Sequence, residues 1–227
     1  MARRSNFGTL VRAASALGIA AAAGNAQAQL GLLIDDYTTA QSIDSVAGPD
    51  TGAVSGAGIL GGEREITQNA TVNVDITGGT MTLTNVGNFS TNIRFEYDGT
   101  AGSPFSVDLL GAGSEFGFEV LSTTAGNSIE VFQVNDALGG GNRTAFGAID
   151  LSTVGNVLVP FTALDRATGP FFNPDPPADF TDISNIAIEF RLAVGGSLTV
   201  ENLRVVPAPA SAGLIALGGL AAVRRRR

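Results

Sequence analysis

The side chains able to do chemistry in this chain are nearly all carboxylates. There are 21 Asp and Glu residues, no His and no Cys. Absent Cys removes thiolate nucleophiles, disulfides and Cys-ligated metals. Absent His removes the commonest general base near neutral pH, and with it the Ser–His–Asp constellation. Paired carboxylates can hydrolyse glycosidic bonds, but no spacing here selects one pair, so the chain reads as a non-enzyme. GGGN at 139–142 reads as a turn and not a phosphate loop, because neither Lys nor a following helix accompanies it. Converging carboxylates can also hold a hard cation. Asp35 and Asp36, at the end of the first expected strand, would approach Glu201 or Asn202 if the first and last strands are neighbours. Calcium is the ion that such oxygens would take. The simpler reading makes them solvated turn residues.

Binding offers a second set of candidates. Sugar C–H faces stack on exposed aromatic rings, yet the chain has no Trp and only two Tyr. Tyr97 falls on the core-facing side of an alternating strand. Phe171 and Phe172, in the loop GPFFNPDPPA at 169–178, are therefore the exposed candidates for glycan contact, unless they plug one end of the domain. Charge narrows the partners further. Between the two chain ends, six arginines (Arg64, Arg94, Arg143, Arg166, Arg191 and Arg204) face all 21 acids, a net charge of −15 against −8 for the whole chain. Such a surface repels phosphate backbones and excludes nucleic acid as a partner. It suits solubility outside the cell, or binding of divalent cations.

The elements that must position these groups are short strands and turns. ATVNVDIT (70–77) and TMTLTNV (80–86) alternate and are joined by Gly78-Gly79, a strong hairpin signal. NIRFEYD (92–98) puts Ile93, Phe95 and Tyr97 on one face and Arg94 and Glu96 on the other. FSVDLL (105–110), EFGFEVL (115–121) and SIEVFQV (128–134) are further strands. NVLVPFTAL (156–164) follows, with Pro160 marking an edge or a bulge. ISNIAIEFRL (183–192) and SLTVENLRVV (197–206) read as a hairpin turned by Gly195-Gly196, with a phase change that predicts a bulge near Asn202. About ten to twelve strands without a helical pattern specify an all-β, two-sheet β-sandwich. Its strand order resembles the jelly-roll sandwiches of galactose-binding-like and carbohydrate-binding modules. That resemblance rests on EFGFEVL, SIEVFQV, DFTDISNIAIEFRL and TVENLRVV, and it implies a glycan ligand with, in many such modules, a structural calcium ion.

Both ends carry an address. Residues 1–28 show a positive start with Arg3 and Arg4, an apolar stretch, then Ala26-Gln27-Ala28. This order specifies a secretory signal helix, cut by signal peptidase after Ala28. The mature domain is then 29–205. At 206–227 the chain reads VPAPASAGLIALGGLAAVRRRR. Pro207 and Pro209 lack backbone N–H groups and break the ladder. The uncharged run at 212–223 is 12 residues. That is about 18 Å as a helix, a marginal transmembrane helix against roughly 30 Å of hydrocarbon. Four terminal arginines would stay on the cytoplasmic side.

This tail resembles the PEP-CTERM sorting signal of Gram-negative bacteria, on Val206, Pro207, Ala208 and Pro209, the short apolar helix, and Arg224, Arg225, Arg226 and Arg227. Ala208 stands where that family usually has Glu. The resemblance implies recognition by an exosortase, a membrane-embedded transpeptidase-like enzyme, with removal of the tail. It further implies passage through the inner membrane to the cell surface or matrix, often alongside exopolysaccharide. An uncut single-pass anchor is the plainer alternative. The expectation for the whole chain is an exported, non-enzymatic surface or matrix protein, or else a glycan-binding jelly-roll module.

Overall fold

The computed structural model describes residues 31–45, 50–68, 71–100, 103–137, 143–164 and 178–207. Ala26 and Ala28, the GGGN turn, Phe171 and Phe172, and the tail from Ala208 onward lie outside the described residues. Gly31–Val206 forms one compact unit.

Alternation drives strand formation, because successive side chains on a pleated strand point to opposite faces. Thr91–Tyr97 buries every second side chain, and the runs VNVDIT and TMTLTN do the same. In chain order the strands are β1 (Leu33–Asp35), β2 (Gln41–Ile43), β3 (Asp50–Ser55), β4 (Glu63–Gln68), β5 (Val72–Thr77), β6 (Thr80–Asn85) and β7 (Thr91–Tyr97). They continue as β8 (Gly99–Thr100), β9 (Ser103–Pro104), β10 (Glu115–Thr123), β11 (Ser128–Asp136), β12 (Arg143–Asp150), β13 (Gly155–Pro160), β14 (Ile183–Leu192) and β15 (Ser197–Val206). A seven-stranded antiparallel sheet has the order β13-β10-β15-β6-β5-β2, with β1 also beside β15. A six-stranded sheet has the order β12-β11-β14-β7-β4-β3. The fold is the expected two-sheet, jelly-roll-like sandwich.

The two orders run in step, so that β6 leads to β7, β10 to β11, β12 to β13 and β14 to β15 in the opposite sheet. Register brings the ends of β6 and β10 together with the starts of β13 and β15 (Leu83↔Leu198, Thr123↔Leu198, Val120↔Gly155). The connecting arches therefore gather at one end of the sandwich. Two buried asparagines tie them. Asn127 accepts from Ala193 N at 3.0 Å and donates to the Ser197 carbonyl at 2.7 Å. Asn85 donates to the carbonyls of Phe89 (2.9 Å) and Ala193 (2.8 Å) and accepts from Gly87 N (2.9 Å).

This arrangement corrects the expected hairpin at Gly195-Gly196. β14 pairs with β11 and β7, whereas β15 pairs with β10, β6 and β1, so the turn crosses between sheets. Both strands have an apolar face to bury, and crossing lets them bury it against each other. Gly195, at φ 62°, supplies the left-handed residue for this turn. Gly78-Gly79 does make a true hairpin, with φ 60° and 91° and Thr77 opposite Thr80. The segment at 105–110 is not a strand either. Only Val107 bridges, to Ile183, and Asp108 then caps a turn by accepting from Gly111 N at 2.8 Å.

The phase change in β15 is present. Asn202 has φ 56°, and the burial of Leu198 and Val200 passes to Leu203 and Val205. Pro160 ends β13, an edge strand, where no ladder donor is required of it. Between the sheets, Phe132, Phe116, Phe161 and Phe180 form a chain with centroids 4.5, 4.8 and 4.7 Å apart. Phe95 meets Phe190 edge-on at 5.6 Å. Each of these rings that is fully buried, as Phe180 is not, contributes about 1.5–3 kcal/mol.

Candidate functional site

The acidic pair expected to reach calcium is divided by the fold. The first and last strands are neighbours, as that idea required, with Leu33 opposite Arg204 and Asp35 opposite Leu203. Asp35, however, turns into the core and is fully buried with Arg64. Arg64 Nη1 donates to Asp35 Oδ2 at 2.6 Å, Nε to Gln41 Oε1 at 2.9 Å, and Nη2 to the Thr39 carbonyl at 2.8 Å. Tyr37 N and the Tyr97 hydroxyl also donate to Asp35, at 2.9 and 3.1 Å. Burial pushes the Asp35 carboxyl up, while Arg64 pulls it back. Asp36 is occupied by its own turn, accepting from Thr38 N and Oγ1 at 2.9 and 2.7 Å, which lowers its pKa. Glu201 projects from β15, half-buried. Among the described residues no group of three or more acids could hold a metal. The Asp35–Arg64 pair is a cross-sheet tie from β1 to β4, and its chemistry is internal.

A different constellation emerges on the outer face of the six-stranded sheet. β7 contributes Asn92, Arg94 and Glu96, all half-buried, because their inward-pointing neighbours Ile93, Phe95 and Tyr97 fix the phase. β14 contributes Asn185, Glu189 and Arg191, and β11 contributes Glu130, Gln133 and Asn135. Hydrogen bonds join them across strands. Asn92 Nδ2 donates to Glu130 Oε2 and to Glu189 Oε1, both at 2.7 Å. Asn185 Nδ2 donates to Glu96 Oε1 at 3.2 Å, and Asn135 Nδ2 donates to Asn185 Oδ1 at 3.2 Å. Gln133 Nε2 donates to Asn135 Oδ1 at 2.9 Å. Arg94 pairs with Glu96 at 3.0 Å and Arg191 with Glu130 at 3.6 Å.

The floor of this strip is apolar. A register shift between Ile129 and Val131 turns Val131 outward, opposite Glu189, and places Gln133 opposite Ala187. Directly opposed residues share a face. Val131 and Ala187 are buried there beneath the longer polar side chains. Amide, carboxylate and guanidinium groups thus rim small apolar residues. Electrostatics differ along the strip. For Glu96, burial works against ionisation, but the hydrogen bond and charge of Arg94 outweigh it and hold the carboxyl below its ordinary value. Glu65 lies opposite Glu96 on β4. Burial pushes its carboxyl up, and Glu96, Asp98 and Glu63 add to the shift.

Sequence reasoning placed Arg94 and Glu96 on the exposed face but did not assemble the strip. Alternation in NIRFEYD and IAIEFRL was the available signal; the pairing of β7 with β14 and β11 was not legible. No protein-family model matches the chain and no curated protein matches it. Among solved structures it is similar to a family 11 carbohydrate-binding module from Clostridium thermocellum in complex with a β-1,3-1,4-mixed-linked tetrasaccharide, at 15% identity, over 75% of this chain and 97% of that one, with TM-score 0.38. A family 29 carbohydrate-binding module variant complexed with mannohexaose is similar at 10% identity, over 76% and 87% of the two chains, with TM-score 0.36. An agarase is similar at 16% identity, over 63% of this chain and 24% of that one, with TM-score 0.35.

Proposed function

We propose that this chain is a non-enzymatic polysaccharide-binding sandwich, exported and delivered to the cell surface or matrix by its C-terminal tail. The observation that carries the binding reading is the outer strip of the six-stranded sheet. Its amides, carboxylates and guanidinium groups offer donors and acceptors to sugar hydroxyls. The ligand is a neutral polysaccharide. Three strip carboxylates (Glu96, Glu130, Glu189) outnumber its two guanidinium groups, Glu63 and Glu65 lie alongside, and the central segment is strongly acidic. Uronate or sulfate chains would meet like charge. Export and sorting rest on the signal order ending in Ala26 and Ala28, and on the Val206-Pro207-Ala208-Pro209 tail with its arginines.

The binding test is retention of the full chain in affinity electrophoresis gels cast with mixed-linkage glucan, galactan, mannan or alginate. Slowed migration on a neutral polymer, lost in Asn92→Ala and Asn185→Ala, is the expected result. Migration unchanged on every polymer would overturn the reading. Loss in Phe171→Ala with both strip variants unaffected would move the site to the Pro-Phe loop. Delivery is tested by intact mass of the protein from native cells and medium. A species starting at Gln29 and ending near Pro207–Pro209 supports tail processing by an exosortase-type partner, whereas one retaining Arg227 in membranes refutes it.

A further inference from the structure

We infer that Phe89 is an aromatic stacking platform at the arch end of this strip, an inference that rests on reading the strip as a glycan site. Phe89 is 58% exposed, although the sandwich interior buries other Phe rings completely. Its loop is not free to fold the ring inward. Buried Asn85 holds the loop at two points, accepting from Gly87 N at 2.9 Å and donating to the Phe89 carbonyl at 2.9 Å. The same Nδ2 donates to the Ala193 carbonyl at 2.8 Å, and Asn85 N donates to the Gly196 carbonyl at 2.8 Å, fastening this loop to the neighbouring arch. Val86 N adds a bond to the Thr71 carbonyl at 2.9 Å. With the loop fixed by this buried amide, the exposed ring is presented to water in one loop conformation. Such preorganisation lowers the cost of ligand capture.

Polar contacts run from the residue after this ring into the strip. Ser90, the next residue, accepts from Arg191 Nη2 at 3.3 Å. Arg191 pairs with Glu130 at 3.6 Å, and Glu130 accepts from Asn92 at 2.7 Å. The strip then continues about 20 Å along β14 from Arg191 to Asn185. An extended chain of neutral sugars would stack one ring on Phe89 and hydrogen-bond its following units along the sheet. The face of a sugar presents C–H groups, as an aromatic ring requires, and its edge presents hydroxyls, as the amides require. Phe89 therefore sets where on the sheet the polysaccharide begins to be held.

Isothermal titration of the full chain with the neutral polymer that retards it tests this. Phe89→Ala should bind about tenfold more weakly, the size of an aromatic face contact. Phe89→Tyr should bind as the wild type does. Phe89→Leu, which keeps apolar bulk but removes the ring, should resemble the alanine variant. A circular dichroism melt confirms that each variant is folded, as expected for an exposed side chain. Binding by Phe89→Ala equal to wild type, with Asn92→Ala and Asn185→Ala impaired, overturns the platform and leaves the strip standing. Wild type that binds no neutral polymer overturns both.

Discussion

Replacing Arg64 by Met should remove a large fraction of the stability of the sandwich. Arg64 and Asp35 are both fully buried, and the guanidinium makes bonds of 2.6, 2.9 and 2.8 Å to Asp35, Gln41 and the Thr39 carbonyl. These join β4 of one sheet to β1, the loop after it and β2 in the other. Without Arg64 the Asp35 carboxylate keeps only Tyr37 N and the Tyr97 hydroxyl as partners. An uncompensated charge of this kind costs about 3–5 kcal/mol, against roughly 5–15 kcal/mol for a whole domain. The double variant Asp35→Leu with Arg64→Met should recover most of the loss, because two well-packed apolar groups replace the pair. Urea unfolding followed by circular dichroism reads both, as a shifted midpoint at unchanged slope.

The pH dependence adds a second check. Burial already raises the Asp35 carboxyl above its ordinary 3.8, with Arg64 opposing the rise. A raised carboxyl contributes stability that is present below the unfolded value and lost as pH rises through the folded value. Removing Arg64 raises that folded value further. The deficit of Arg64→Met should therefore be largest at neutral pH and narrow on acidification toward about pH 4. A deficit below about 1 kcal/mol, or one indifferent to pH, would refute the account of the pair as an ionised cross-sheet tie.

Other outcomes follow from single residues. Asn127→Ala strands Ala193 N and removes a donor from the Ser197 carbonyl, so a loss of about 1–3 kcal/mol is expected in the same urea titration. Asn202 stands at φ 56°; Asn202→Gly should change stability little, and Asn202→Val should cost about 1–2 kcal/mol by chemical denaturation. Glu96 is held below its ordinary 4.5, so the Arg94 and Asn185 contacts it anchors persist from neutral pH down past that value. Polymer binding measured by calorimetry should accordingly be flat above about pH 5 and fall only under more acid conditions; weakening already near pH 6 would contradict the assignment.

Much was legible in the residues alone. Strict alternation in NIRFEYD, the Gly-Gly pair at 78–79, the phase change at Asn202 and the edge proline at 160 are local signals. Each depends on backbone geometry within a few residues, and the structure carries each of them. The all-β class follows from the same signals. The strands β2, β3, β4, β8, β9 and β12 were not foreseen; of these, QSI, DTGAVS and EREITQ have few apolar residues and draw their order from pairing with β5 and β7. The hairpin expected at Gly195-Gly196 looked like the one at Gly78-Gly79, since both are Gly-Gly pairs between alternating runs. What separates them is which sheet each flanking strand joins, and no local residue encodes that.

Charge made the same division. Composition by itself excluded His and Cys chemistry and made nucleic acid an unfavourable partner, because these consequences follow from residue types irrespective of position. Only the tertiary structure decided that Asp35 faces Arg64, since the choice between a core position and a turn depends on the inward Arg64 arriving from a strand 29 residues away. Only the tertiary structure gathered Asn92, Glu130, Glu189, Asn185 and Glu96 into one strip, since their contacts span 38 to 97 residues of sequence. Pairing across that distance is selected by burial of the apolar faces of β7, β14 and β11, and the polar residues between are carried into register by it.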